Sequence, residues 1–480
     1  MRKIENRPAV NAGRQFLLGA LVLLVPGVGG AQGAKVATRH LGAAASTSTE
    51  LLGSVANVRQ LPNGNVLVND QARRRVVMLD KDLKLVSVVA DSTSMTGNAY
   101  GARPGGLIPY RGDSTLFVEP VSLSMLVIDP AGKIVRTMAA PRPNDVNFLA
   151  SPAFGFPGFD SQGRLVYRVM DFGFRGGRGP QPGQPFTPPT PPDSAALVRF
   201  DLASRKLDTA SFVKLPKNNV SMTQNANGGM SFSITTNPLP VVDDWAVMSD
   251  GTIAIARGQD YHIDFVEPTG VRRAEKIPYE WQRMTDDDKQ RVLDSAKVAI
   301  EKQRAAAQAA GPGAEGAQRA AEIGALIGGG GGGGGQMITV MRGGGGDGPL
   351  PPQRGGGGPG APGGGAPGEV RVMAGGPGGM QMPAVNMVPA SELPDYKPVF
   401  GQNSLRADMD GRVWLRTIPT KPTPGGAIYD VIDKTGKLVD RVQVPAGTTI
   451  AGFGAGGVVY LGMRDKDGLH LQRITHVPLP

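Results

Sequence analysis

VANVRQLPNGNVLVNDQARRRVVMLDKDLKLVSVV, residues 55–89, decides the fold. Residues 58–61 run into the turn Pro62-Asn63-Gly64, and residues 66–68 form an apolar run stopped by Asn69 and Asp70. The basic loop Arg73-Arg74-Arg75 leads into Val76-Val77-Met78-Leu79, and Asp80-Lys81-Asp82 turns the chain into residues 85–89. Pro, Gly, Asn and Asp between β-branched runs supply preset φ, positive φ or local side-chain hydrogen bonds. The stretch therefore predicts four short strands in an antiparallel meander. A single meander cannot bury both of its faces.

The unit returns along the chain. Residues 107–138 carry Arg111-Gly112-Asp113 as a first turn and Asp129-Pro130-Ala131-Gly132 as a last one. A third unit opens at residues 159–167 and resumes at 196–201 after a loop. A fourth opens at 245–255 and is completed by 262–266 and the turn Glu267-Pro268-Thr269-Gly270. A fifth opens at 405–415 and closes through 428–432, Asp433-Lys434-Thr435-Gly436 and 438–444, and a sixth opens at 450–454 and 458–461. About six sheets of about four strands predict an all-β chain, a six-bladed β-propeller.

Asn63-Gly64-Asn65-Val66-Leu67-Val68-Asn69-Asp70, followed by Arg75-Val76-Val77-Met78-Leu79-Asp80, resembles the NHL repeat. Asp410-Gly411-Arg412-Val413-Trp414-Leu415 and Asp250-Gly251-Thr252-Ile253-Ala254-Ile255 repeat its first half. The resemblance extends to the broad six-bladed class that includes TolB-like propellers. It implies that fold and no particular activity, since one superfold hosts many.

Residues 1–33 read as a signal peptide. Arg2, Lys3, Arg7 and Arg14 precede the apolar run 16–28, and small residues follow at Gly29, Gly30, Ala31 and Gly33. An uncleaved anchor is the alternative. The expectation is export to a bacterial periplasm or the exterior, with no transmembrane span after cleavage. The absence of cysteine excludes disulfides, thiolate metal sites and a cysteine nucleophile. The formal charge of +10 includes a net +3 from residues 1–33, leaving +7 for the remainder. Arg175-Gly176-Gly177-Arg178-Gly179 and Arg342-Gly343-Gly344 look like RNA-binding segments, but aromatic residues make up only 5% and no stacking motif accompanies them. No nucleic-acid partner is expected.

The organisation that follows is residues 34–278 as blades 1–4 with an N-terminal closing strand, 279–310 as a helical insertion, 311–385 as a linker rich in Gly, Pro and Met, and 386–480 as blades 5 and 6. The linker cannot recover its ordering entropy by burial and is expected to be disordered. Residues 172–194, rich in Gly and Pro, are expected to make an extended surface excursion. Thr285 before Asp286, Asp287 and Asp288 predicts a helix N-terminus, and Val292, Leu293, Ala296 and Ile300 continue it at helical spacing. The sixth unit has room for about three strands, so residues 35–41 are expected to supply its outer strand and close the ring.

The histidines are His40, His262, His470 and His476, and no G-x-S-x-G, H-E-x-x-H or P-loop pattern occurs. Arginines do recur at one structural position, around the connection between second and third strands. They are Arg73 and Arg74, Arg168, Arg257, Arg416 and Arg464. Guanidinium groups match carboxylates and phosphates. With Asp243, Asp244, Asp260, Tyr261 and His262 they predict a funnel mouth that binds a small anionic ligand or an acidic envelope protein, in a monomer without a cofactor. The alternative is that these arginines pair with nearby acids such as Asp70, Asp260 and Asp465.

An enzyme reading rests on a second resemblance. Asn403-Ser404-Leu405 is similar to the N-G-L segment of gluconolactonase-type propellers, which implies lactone hydrolysis with a divalent metal such as Ca2+. The segment departs at its middle residue, and Leu52-Gly53-Ser54-Val55 stands where that family places a glutamate. A third reading is a scaffold that assembles envelope proteins through its rim.

Overall fold

The computed structural model describes residues 36–55, 57–93, 100–170, 192–217, 219–224, 230–309, 384–421 and 423–476. The expected signal peptide, most of the 172–194 excursion and nearly all of the 311–385 linker lie outside the described residues.

Five hairpins share one local code. The aspartates 80, 129, 160, 408 and 433 each accept, through Oδ1, the main-chain N–H groups two and four residues on. The fourth residue of each turn is left-handed, with Leu83, Gly132, Gly163, Gly411 and Gly436 at φ of 63°, 81°, 74°, 81° and 93°. The aspartate satisfies the tip and the left-handed residue reverses the chain, so each hairpin is set locally.

These hairpins build six blades. Blade 1 runs Asn57–Gln60, Val66–Asp70, Arg75–Leu79 and Leu85–Ala90. Blade 2 runs Gly106–Pro109, Thr115–Glu119, Ser124–Ile128 and Ile134–Ala139. Blade 3 runs Gly158–Phe159, Leu165–Val169, Ser194–Phe200 and Leu207–Lys214. Blade 4 runs Asp244–Val247, Ile253–Arg257, His262–Glu267 and Gly270–Arg273. Blade 5 runs Leu405–Ala407, Val413–Thr417, Ile428–Ile432 and Leu438–Gln443, and blade 6 begins Thr448–Gly454, Val458–Arg464 and Leu469–Thr475. First strands of neighbouring blades meet, so they line the axis.

Side chains alternate across a strand, so each blade offers an apolar face to both neighbours. Val66 and Val68 pack on blade 6 while Leu67 packs on blade 2. Six buried clusters result, one at each blade junction, and together they close the ring. The protein is a six-bladed β-propeller.

Closure differs from the expectation. Thr38–His40, in the segment expected to finish blade 6, pairs parallel with Leu438–Gln443 as a fifth strand on blade 5. Blade 6 is completed by Ser46–Thr47, antiparallel to Leu469–Thr475, with a further bridge from Leu52 to Leu469. Arg39 explains the displacement, because its guanidinium reaches Asp440 of blade 5.

Two additions stand on the ring. A three-stranded sheet joins Asn219–Gln224, Met230–Thr236 and, in parallel, Ala384–Met387. The long helix Asp286–Ala309 starts at Thr285, whose hydroxyl accepts Asp288 N–H while Asp288 Oδ2 accepts Thr285 N–H. Leu293 of this helix packs with Met284, Val388 and Leu393. No helix among the described residues is long and apolar enough to cross a membrane.

Candidate functional site: the rim at the funnel mouth

Every second strand ends on the same rim, and the arginines singled out from the sequence sit there. Their neighbours divide them into two groups.

On blades 3 and 4 they are engaged, Arg168 buried and Arg257 half-buried. Arg257 donates through Nε to Asp264 Oδ2 at 2.8 Å, and through Nη1 to Asp243 Oδ2 at 2.8 Å and to Phe212 O at 2.9 Å. Burial works against its charge, but the bonds to Asp264 and Asp243 outweigh this and raise its pKa. His262, 1% exposed, lies between Asp260 Oδ1 at 2.7 Å and Asp264 Oδ1 at 3.1 Å. Tyr261 adopts φ 48° and donates its hydroxyl to Asp430 Oδ2 of blade 5 at 2.7 Å. Burial, followed by the Asp430 charge, pushes that phenol well above its ordinary value. This group fastens blade 4 to blade 5.

Arg168 is 3% exposed, donates to Ala153 O at 2.9 Å and lies 5.5 Å from the Phe154 ring centre. Burial brings its guanidinium down to about 10, against the pull of Asp244. Asp244 accepts main-chain N–H bonds from Trp245 at 2.9 Å, Ser404 at 2.6 Å and Leu405 at 2.8 Å. Burial nevertheless pushes its carboxyl up to about 6.

On blades 5, 6 and 1 the arginines are exposed. Arg416 and Arg74 stand in solvent, Arg74 at φ 51°. Arg464 donates to Gly53 O at 3.5 Å. Arg73 donates to Leu51 O and comes no closer than 4.0 Å to Glu50. The acids of blade 1 are taken by Arg75, which binds Asp70 at 3.1 Å and Glu50 at 2.7 Å.

The axis holds residues that the sequence reading missed. Arg406, on the first strand of blade 5, donates to Ile450 O and, at 3.0 Å, to Ala451 O of blade 6. Its guanidinium lies 4.2 Å from the ring centre of Phe156, which enters from the segment before blade 3. Burial lowers the Arg406 pKa to about 10. Phe156 also lines a shallow recess with Asn57, Asn69, Gly106, Leu149 and Ser151. The available signal was an arginine in a first strand, a place that Arg59 of blade 1 also occupies.

A divalent cation does not fit this donor set. Asp244, the acid at the start of a first strand, spends both oxygens on main-chain N–H groups. Gly53 and Ser54, where the lactonase resemblance would require a glutamate, donate their N–H groups to Asp70 Oδ1 at 3.0 Å. Among the described residues no group of three or more His, Asp or Glu could hold an ion.

No family model matches the chain, and no curated protein matches it. Several solved structures align along it. One is a gluconolactonase of Xanthomonas campestris, at 11% identity and a TM-score of 0.35, covering 92% of this chain and 99% of that one. A calcium-binding protein, regucalcin, of Agrobacterium tumefaciens aligns at 11% identity and a TM-score of 0.34, covering 92% and 98%. Virginiamycin B lyase of Staphylococcus aureus aligns at 12% identity and a TM-score of 0.25, covering 49% and 73%.

Proposed function

We propose that the chain is an exported binding propeller that docks an acidic partner protein across the exposed arginines of blades 5, 6 and 1, namely Arg416, Arg464, Arg73 and Arg74. One observation carries the reading. Among the described residues none of these four has a carboxylate closer than 4.0 Å, whereas Arg257, at the same strand end in blade 4, binds two. Exposed guanidinium groups hold a lone anion weakly, because water screens each contact. A partner that covers several at once gains more, and the unpaired charge steers its approach. The open form of the arc favours such a surface over a small ligand.

The test uses poly-glutamate as the acidic probe and inorganic phosphate as the small-anion control, each titrated at low and moderate salt. Poly-glutamate should bind, weaken as salt rises, and lose at least tenfold in affinity in the triple variant Arg74→Glu, Arg416→Glu, Arg464→Glu. Unchanged affinity in that variant, or phosphate binding as well as poly-glutamate, overturns the reading.

A further inference from the structure

The same rim carries an aromatic face that the arginine arc does not use. Beyond blade 4 the chain climbs back to the mouth, with Ile277 N donating to Tyr261 O at 2.8 Å. Residues 282–284 then pair with 395–397. Met284 N donates to Asp395 O at 2.8 Å, Lys397 N donates to Gln282 O at 2.9 Å, and Arg283 stands opposite Tyr396. The period of two places Trp281, Arg283 and Tyr396 on one side of this ladder and Met284 on the other, in the cluster beside the long helix. Trp281 is 38% exposed and Tyr396 49%.

Trp281 is held firmly for an exposed indole. It meets Tyr279 edge-on at 5.4 Å, and Tyr279 meets the fully buried Tyr261 edge-on at 5.8 Å. A rigid exposed ring anchored in the core is pre-organised for recognition, since little rotamer freedom remains to be lost. Trp281 lies two residues before Arg283, the partner of Tyr396 in this pairing, so an extended chain places it diagonal to Tyr396.

The sequence contains a matching spacing. Pro182, Pro185, Pro188 and Pro191 recur at every third position in the connection between the second and third strands of blade 3. Polyproline II has three residues per turn and rises about 3.1 Å per residue, so such prolines share one face at intervals of about 9 Å. Aromatic-lined surfaces recognise this face, and the preformed helix loses little entropy on docking. The second strand of blade 3 ends at Val169 on this rim, and Trp281 follows blade 4 in the chain, reached through Tyr279 from Tyr261 in that blade's own connection between second and third strands. From Val169 to Pro182 the chain can extend about 40 Å, more than the roughly 20 Å spanned by two steps between sheets packed face to face.

We propose that the Trp281–Tyr396 face is a polyproline II docking site and that its occupant is this chain's own segment 182–191. The experiment compares the full chain with a variant in which residues 172–191 are replaced by a Gly-Ser linker of equal length. Trp245 and Trp414 are buried at 1% and 2% exposure, so Trp281 reports on solvent. The linker variant should emit further to the red and be quenched more by iodide than the full chain. A synthetic peptide of residues 181–193 should reverse both changes saturably. Trp281→Ala and Tyr396→Ala, each in the linker variant, should weaken the peptide at least tenfold, read by labelled peptide for the tryptophan change. Replacing Pro185 and Pro188 of the peptide by Ala should do the same. Equal quenching of the two chains overturns the proposal, as does a peptide without effect at millimolar concentration. So does affinity indifferent to Trp281→Ala and Tyr396→Ala, or saturable binding of a neutral oligosaccharide in place of the peptide.

Discussion

Replacing Arg39 by alanine tests how the wheel is fastened. Asp440 is fully buried, and its carboxylate accepts Arg39 Nε at 3.0 Å and a second bond from Arg39 Nη2. It also takes His476 Nε2 at 2.8 Å and Arg441 N–H at 2.8 Å. Removing one partner of a buried ion pair costs about 3–5 kcal/mol, because the other charge stays desolvated. The Arg39 side chain is 29% exposed, so water replaces part of the loss and about 2–3 kcal/mol is expected. The pH dependence separates this cause from lost packing. Burial opposes the charge on Asp440, but the bonds from Arg39 and His476 outweigh it and hold the pKa below its ordinary 3.8. A depressed carboxylate contributes stability above its unfolded pKa and loses it as pH falls through the folded value. Burial, and then the nearby Arg39 and Arg412, hold His476 below 6.5 against the opposing pull of Asp440, so its contribution also shrinks as pH falls from 6.5. Urea unfolding between pH 3 and 8 should therefore show the Arg39→Ala deficit at its largest near pH 7, shrinking in acid as Asp440, deprived of Arg39, takes up a proton and sheds its uncompensated charge. A deficit under about 0.5 kcal/mol at pH 7, or one constant with pH, refutes the argument.

Two further perturbations probe the blade junctions. Asp244 is raised to about 6 by burial, so its contribution is fully present below 3.8 and is lost as pH rises through 6. The advantage of wild type over Asp244→Asn should be smaller at pH 7 than at pH 4 by about 2–3 kcal/mol in urea unfolding, and a pH-independent difference contradicts the assignment. At Gly251, φ is 85° and an added Cβ would lie 2.2 Å from Ser161 N of blade 3, whereas at Gly411, φ is 81° and the space is open. Gly411→Ala should cost about 1 kcal/mol and Gly251→Ala at least about 2–3 kcal/mol, and equal losses would show that the blade contact is soft.

The wheel was legible because its information is local. A hairpin such as Asp433 to Lys437 contains its own acceptor and its own left-handed residue, so neither depends on what lies across the ring. The closure was not legible for the opposite reason. Thr38–His40 and Ser46–Thr47 are three and two residues long, too short for any alternation to show. The edge each covers is chosen by distant groups, Asp440 for the first and the strand Leu469–Thr475 for the second. The additional sheet was hidden likewise, since Met230–Thr236 finds its parallel partner Ala384–Met387 only beyond the helix.

At the rim, residue type was legible and role was not, because register decides it. Arg257 stands opposite His262, and its diagonal neighbour on the third strand is Asp264, which takes its Nε. Arg416 stands opposite Tyr429, so the corresponding diagonal position holds Val431. Arg464 stands opposite Leu469, and there the position holds Leu471. In blade 1 the order is reversed, with Asp70 ending the second strand and Arg75 opening the third; these two pair with each other and leave Arg73 and Arg74 to spare. Arg416 and Arg464 also sit on the face that their blades turn toward the next blade, with Trp414 and Val458, whereas Arg257 shares with Ile253 and Ile255 the face turned to blade 3, so face as well as register decides which arginine finds an acid. The basic arc on blades 5 and 6 follows from the same apolar residues that seal the junctions beneath it, Val431 against blade 6 and Leu471 against blade 1.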